Sequence, residues 1–520
     1  MTFRRPISTS FSSVANETFS KVKAGHFLFF SFIFVLFYCI ALDPNDGLSV
    51  DVLQQVRNNS KSVSADNSST VLNASTEIGH LFLTMPIYCD GPKSFPRTTM
   101  AVVAAAARRF RASSILCISY SKGHKRTTRG SIQTITYTPF CKWSTYLVLC
   151  PVQTNIDFFG LATKRNETPL MLNFTRSDPV RRSVVVCMSR MFLYENWQIL
   201  LTTLEIYRYY KVDLLVAYID SIVTGAFELL KVYEKEGLVM IEPSVKIYYD
   251  EGRMSFNPND ESEWGNQMIV YNHCMYRFRE SAEFVVFADW DDVLVPRGSA
   301  GGMADSLRAL FEANAYAGAF QLHRRSTTVF AASDSKRFDL MTTLTTMDVS
   351  EFFGPGKTVV IPNRVKGAWV HKPRLYENGY RLDYAKTHQS WFYHLRVLST
   401  YGGDLPKEAK WRPNELNATG IVEQFNEFYK EKNLGQIFAK FPKRHTYLNE
   451  MEKCYRNIAH LFHLNNRDHC PNQGYCEIPE LSIDCVNVEH GFARRRMDSS
   501  MIISYGTNAR FVFSKTGCIP

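Results

Sequence analysis

Between Arg181 and Asp289, short apolar runs alternate with stretches of helical spacing, an order that few folds accommodate. SVVVCMS (183–189), VDLLVAYID (212–220), LVMIEP (238–243) and FVVFAD (284–289) have little polar interruption. Such runs are expected of strands covered on both faces of a sheet. Asn196 to Tyr210 repeats Trp197, Leu200, Leu201, Leu204 and Tyr207 at helical spacing, and Val223 to Glu236 is helical up to Gly237. Gln267 to Arg279 is helical again. The alternation predicts an α/β fold with a mostly parallel sheet and crossover helices, whose ligands sit at the C-terminal ends of the strands. Beyond Pro296 come a helical stretch (Ala304–Ala315), a strand (Ala317–His323) and a long, less regular region to about Leu398.

The fourth apolar run ends in Phe287-Ala288-Asp289-Trp290-Asp291-Asp292. Asp289 and Asp291 form an Asp-x-Asp pair. Hard divalent cations prefer oxygen ligands, so two carboxylates at a strand end suit Mn²⁺ or Mg²⁺. Such an ion offsets the charge of a departing diphosphate. Three carboxylates within four residues are costly unless a cation or solvent balances them. The plainer alternative is an acidic turn in which Asp292 caps a neighbour.

The start of the chain is of another kind. Ala24 to Leu42 holds no Asp, Glu, Lys or Arg and is long enough, as a helix, to cross a bilayer. Arg4, Arg5, Lys21 and Lys23 precede it; Asp43, Asp46 and Asp51 follow. This predicts a cytosolic tail (1–23), a type II signal anchor (24–42) and a luminal remainder. Residues 43–79 are polar, with sequons at Asn58, Asn67 and Asn73, and read as a glycosylated stem. Further sequons occur at Asn166, Asn173 and Asn417. Residues 80–180 lean toward strand and read as an accessory luminal segment, 181–440 as the principal domain, and 441–520 as a Cys-containing tail. Cys39 lies in the candidate span and 11 further Cys follow it. An oxidising lumen would pair most of these and leave one over. Cys470 and Cys476 are expected to close a loop. The net charge of +10 shows in clusters at Arg108–Arg111, Lys122–Arg129 and Arg494–Arg496. In a lumen these suit nucleotide phosphates, anionic glycans or lipid headgroups rather than nucleic acid, or simply a solvated surface.

From Val184 to about Arg396 the chain resembles glycosyltransferase family 92. The matching pieces are VVVCMSRMFLYENWQILLTTLEIYRYYKVDLLVAYI, YEKEGLVMIEP, the helix from Gln267, FVVFADWDDVLVP, GKTVVIPNRVKGAWVHKP and HLR at 394–396. The resemblance implies a GT-A-like fold and a metal-dependent, inverting transfer of galactose from UDP-galactose to a glycan acceptor. It implies metal ligation by Asp289 and Asp291. Lys357 matches a lysine suited to donor phosphate, with Asp289 also at the donor. His371 and His394 match family histidines, either of which could complete the metal shell, His394 ranking first. The sequence departs from the family at Asp292, usually Glu, at His273, usually Asp before Cys, and at Leu395, usually Tyr.

The expected enzyme is a Golgi-lumen glycosyltransferase held to the membrane by one helix and acting on glycoproteins or other glycans. Glu351 and Asp404 are low-ranked candidates for the base that takes the acceptor's proton. The alternative, motivated by Asp292 and His273, is a non-catalytic sugar-binding or scaffolding protein with the same fold. A phosphotransfer or hydrolase site would need a phosphate-binding nest after the acid, and Val293 to Pro296 offers none.

Overall fold

A computed structural model describes residues 79–519, apart from 92–94, 109, 111–114, 136–139, 297–301, 331, 387–389, 399–415, 444, 464–469 and 480. The candidate span Ala24–Leu42, the tail before it and the sequons that crowd behind it lie outside the described residues.

The four apolar runs become strands Arg182–Met188, Leu214–Ile219, Val239–Pro243 and Ala282–Ala288. They pair in parallel, with Arg182–Met188 between Leu214–Ile219 and Ala282–Ala288. Alternate residues serve opposite faces, as the two-residue period of a strand requires. Val184, Val186 and Met188 pack with the buried side of helix Trp197–Tyr209, whereas Val185 and Cys187 pack with helix Gln267–Arg277. Both faces are therefore dry, and each fully buried aliphatic side chain contributes about 1.5–3 kcal/mol. Asn196 caps the first helix by accepting from the Ile199 amide at 3.3 Å. Helix Thr224–Lys235 ends before Gly237, whose φ of +80° gives the left-handed turn into the next strand.

The expected architecture, a mostly parallel sheet with crossover helices, is corrected. The sheet is mixed. Beyond Ala282–Ala288 the direction reverses: Asp348–Val360 pairs antiparallel with it, and Ala317–Phe330 antiparallel with Asp348–Val360. Trp391–Leu398 then runs parallel to Ala317–Phe330, and the short strand Asp292–Val295 folds back antiparallel to Trp391–Leu398. The strand read over Ala317–His323 is present and runs on to Phe330; that extension, with Arg324, Arg325 and Ser326, and strand Asp348–Val360, with Ser350, Glu351 and Lys357, escape a search for apolar runs. Among the described residues, no helix is long and apolar enough to cross a membrane. The longest, Thr446–His463, carries Glu450, Glu452, Lys453 and Arg456.

A second sheet of nine strands joins the two ends of the described chain. Gly79–Leu83 lies parallel to Met501–Ser514 and antiparallel to Thr99–Ala107. The hairpin Cys485–Arg496/Met501–Ser514 continues the sheet to Ser221–Val223. A separate four-stranded sheet runs in the order His124–Arg129, Leu116–Ser121, Phe158–Ala162, Leu170–Leu172. Among the described residues five disulfides staple the fold: Cys117–Cys150, Cys141–Cys470, Cys187–Cys274, Cys454–Cys476 and Cys485–Cys518. Cys470 and Cys476 thus bond to different partners and do not close a loop between themselves. Cys89 is the free, buried thiol among the described residues.

Glu195, in the loop entering helix Trp197–Tyr209, is 1% exposed. Its Oε1 accepts from the Leu448 amide at 2.6 Å, and its Oε2 has no hydrogen-bond partner. Burial pushes this carboxyl up to about 7, against the amide bonds of Leu448 and Tyr447. At low pH the group is protonated in both folded and unfolded chains and costs nothing. As pH rises through the unfolded value, the unfolded chain ionises first, so a penalty accumulates until the folded pKa is passed, roughly 3 kcal/mol in full. Glu195→Gln is therefore expected to melt above the parent near pH 8, with the difference vanishing toward pH 4. Melting curves offset equally at every pH would refute this account.

Candidate active site

Strand Ala282–Ala288 delivers Asp289 at its C-terminal end. The chain then turns, with the Asp292 amide donating to the Asp289 carbonyl at 2.9 Å. Helix Trp197–Tyr209 holds this turn from below. Thr203 donates to the Trp290 carbonyl at 2.9 Å. The Tyr207 hydroxyl donates to the Asp292 carbonyl at 3.2 Å and accepts from the Leu294 amide at 3.1 Å. The Trp290 indole donates to the Ser189 carbonyl at 3.0 Å, which ties the turn to the end of the neighbouring strand.

The return strand Asp292–Val295 places Asp292 directly opposite His394. His394 Nδ1 stands 2.9 Å from Asp292 Oδ1 and 3.5 Å from Asp291 Oδ2. The Leu395 amide donates to the Asp291 carbonyl at 2.6 Å, which fixes the register. Ligand atoms of Asp291, Asp292 and His394 all lie within 4.8 Å of one another, so the three form a group able to hold a metal ion. Asp292 is fully buried, and its Oδ2 has no hydrogen-bond partner; the nearest cations are Lys357 at 3.5 Å and Arg324 at 3.6 Å. A buried carboxylate oxygen without a hydrogen bond, beside a second carboxylate and an imidazole, is a donor set that a divalent metal ion fits.

Asp289 is differently engaged. Its Oδ2 accepts from the Lys357 ammonium at 2.6 Å, and its Oδ1 accepts from Gln267 at 2.9 Å and Tyr271 at 3.0 Å. Lys357 comes from strand Asp348–Val360 and its side chain is fully buried. It spends its charge on Asp289 and Asp292. Burial pushes all three carboxyls up. For Asp289 the Lys357 ammonium outweighs this and holds the group below the usual range. For Asp292 the His394 ring, Lys357 and Arg324 do the same more strongly. Asp291 stays raised, because burial and the two neighbouring carboxylates exceed the opposing effect of His394.

Of the residues singled out in the sequence, the structure thus gathers Asp289, Asp291, Lys357 and His394. His371 stands beside them but outside the metal-sized group. Its Nδ1 lies 3.0 Å from the Gly356 carbonyl, so that nitrogen carries the proton, and burial followed by Lys357 pushes the ring down to about 4. Glu351 is exposed on strand Asp348–Val360, and Asp404 lies outside the described residues. Of the departures, His273 meets the Tyr218 hydroxyl at 3.0 Å, and Cys274 beside it bonds to Cys187. Sequence reasoning passed over four residues: Asp292 as a member of the metal-sized group, Arg324 as its cation, and Gln267 with Tyr271 as the supports of Asp289. Only Asp292 carried a local signal, its place in the acidic cluster.

Lys357→Met should destabilise the protein by about 3–5 kcal/mol in chemical denaturation, because it leaves buried carboxylate charge uncompensated. Adding Asp289→Asn should restore part of the loss. A double-mutant cycle with no coupling would show that the pair does not hold the turn.

A sequence profile of glycosyltransferase family 92 matches residues 182–438. Two glycosyltransferase family 92 proteins of Caenorhabditis elegans align along most of the chain. One is 24% identical over 459 residues, covering 84% of this chain and 90% of its own. The other is 27% identical over 456 residues, covering 83% and 87%.

Proposed function

This chain belongs to glycosyltransferase family 92, and from that premise we propose that it transfers galactose from UDP-galactose to a glycan acceptor, with inversion at the anomeric carbon. The observation that carries the reading is the convergence of Asp291, Asp292 and His394 at a strand end. Mn²⁺ would be held by those three residues. When bound it would offset the charge of the UDP diphosphate as that group leaves.

The chain's own residues prepare the site. His394, Lys357 and Arg324 keep Asp292 ionised, and Lys357 does so for Asp289. Asp289 is a positioning residue in this reading. Locked by Lys357, Gln267 and Tyr271, it sets the turn from which Asp291 projects. His394 is oriented by its cross-strand place opposite Asp292. Five disulfides favour an oxidising compartment, so we place the enzyme in the secretory lumen, at the Golgi, where glycoprotein acceptors pass.

The test is transfer from UDP-galactose to a glycan panel with Mn²⁺, the anomeric configuration of the product being read by NMR. Chelation should abolish transfer, and Asp291→Asn and His394→Ala should each lower it by about 100-fold or more. Asp292→Asn should weaken Mn²⁺ binding more than Asp289→Asn does. Full activity after chelation, or in the Asp291→Asn/His394→Ala double variant, would defeat the metal assignment. A product with retained configuration would defeat inversion.

A further inference from the structure

The net charge of +10 has a local source. Between Gly91 and Ile156 there are ten Lys and Arg residues and no Asp or Glu; the rest of the chain is balanced. Part of this segment forms the hairpin Leu116–Ser121/His124–Arg129, in which His124–Arg129 is the edge of the four-stranded sheet. Basic residues on an edge strand discourage pairing with other chains, and that explains Lys125 and Arg129 without a ligand.

It does not explain Arg97. This residue precedes strand Thr99–Ala107 of the other sheet, yet it lines one cleft of about 550 Å³ together with Arg126. Thr98, Ser121, Pro151, Val152, Gln153 and Thr154 complete the walls. Arg97 and Arg126 are both exposed, and neither has a carboxylate partner among the described residues. The acids that border this region are already engaged. Asp157 accepts from the Lys122 amide at 2.8 Å, and Asp90 pairs with Arg176 at 3.2 Å. Two uncompensated guanidiniums from different sheets therefore face one polar recess.

We propose that this cleft binds the sulfate groups of an acidic polysaccharide. A guanidinium presents paired N–H donors that match an oxyanion, and two at one recess hold a charged group more firmly than either alone. The hydroxyl and amide groups between them suit sugar hydroxyls rather than acyl chains. The binding does not depend on the transferase reading, and its test uses no sugar transfer.

The test measures binding of the full chain to a heparin-derived octasaccharide by calorimetry. Arg97→Gln/Arg126→Gln should weaken binding by about ten-fold or more, the loss of a charge-assisted contact. Lys336→Gln/Arg337→Gln removes the same charge at another exposed place and should change it by less than about two-fold. Arg97→Lys/Arg126→Lys keeps the charge but not the fork, and should fall between; it also serves should the glutamine pair fail to fold. Equal weakening in both glutamine pairs would reduce the effect to net charge and overturn the site. Equal binding of the desulfated octasaccharide, or tighter binding to phosphatidylserine vesicles than to the sulfated chain, would overturn the ligand.

Discussion

Lys357 is fully buried, and its ammonium is the cation against which the acidic turn is built. Removing an ammonium from water costs several kcal/mol, and the cost is recovered only where carboxylates meet it at good geometry. Asp289 does so at 2.6 Å and Asp292 stands at 3.5 Å. The same contacts solve the carboxylates' problem, since three acids in four residues would otherwise repel one another and take up protons. Lysine and acids therefore depend on each other. The surrounding bonds from Thr203, Tyr207, Gln267 and Tyr271 hold the turn where that balance is met.

That balance requires the mixed sheet. A purely parallel continuation would bring every strand to the acidic turn by its C-terminal end. Instead Asp348–Val360 runs antiparallel to Ala282–Ala288 and brings Lys357 alongside from within a strand. Asp292–Val295 then folds antiparallel to Trp391–Leu398, which sets Asp292 and His394 as direct cross-strand partners. Side chains so opposed stand about 4.5–5.5 Å apart at Cβ, within reach of a shared ion. A strand pair is stiffer than a loop, so the carboxylate and imidazole are held in register before any ligand arrives.

The parallel half of this sheet was legible because its residues obey a local rule. Val184, Val186 and Met188 face one helix and Val185 and Cys187 another, so the strand reads as one apolar run. Of the antiparallel half only Ala317–His323 was legible, because Arg324, Lys357 and His394 on its polar site interrupt the pattern that would announce the other strands. Asp289, Asp291 and His394 were found through motif and resemblance. Asp292 was noticed in the acidic cluster and as a departure, but its pairing with His394 was not, since that partner lies 102 residues away. The second sheet was hidden for a similar reason. The pairing of Gly79–Leu83 with Met501–Ser514 and the Cys141–Cys470 bridge join distant parts of the chain, and no local period encodes them.

The Cys187–Cys274 disulfide connects these two levels. It ties the central strand Arg182–Met188 to helix Gln267–Arg277, whose Gln267 and Tyr271 donate to Asp289. Closing 87 residues of chain restricts the unfolded state by about 4–5 kcal/mol in the chain-entropy account. Its local effect matters more to the site. The helix cannot slide along the strand without straining the bridge, so both donors stay on one carboxylate oxygen and leave the other to Lys357. Both Asp289 oxygens thus accept hydrogen bonds, whereas Asp292 keeps Oδ2 without one. The different surroundings of Asp289 and Asp292 follow from that distribution of donors, not from the order Asp-Trp-Asp-Asp in the chain.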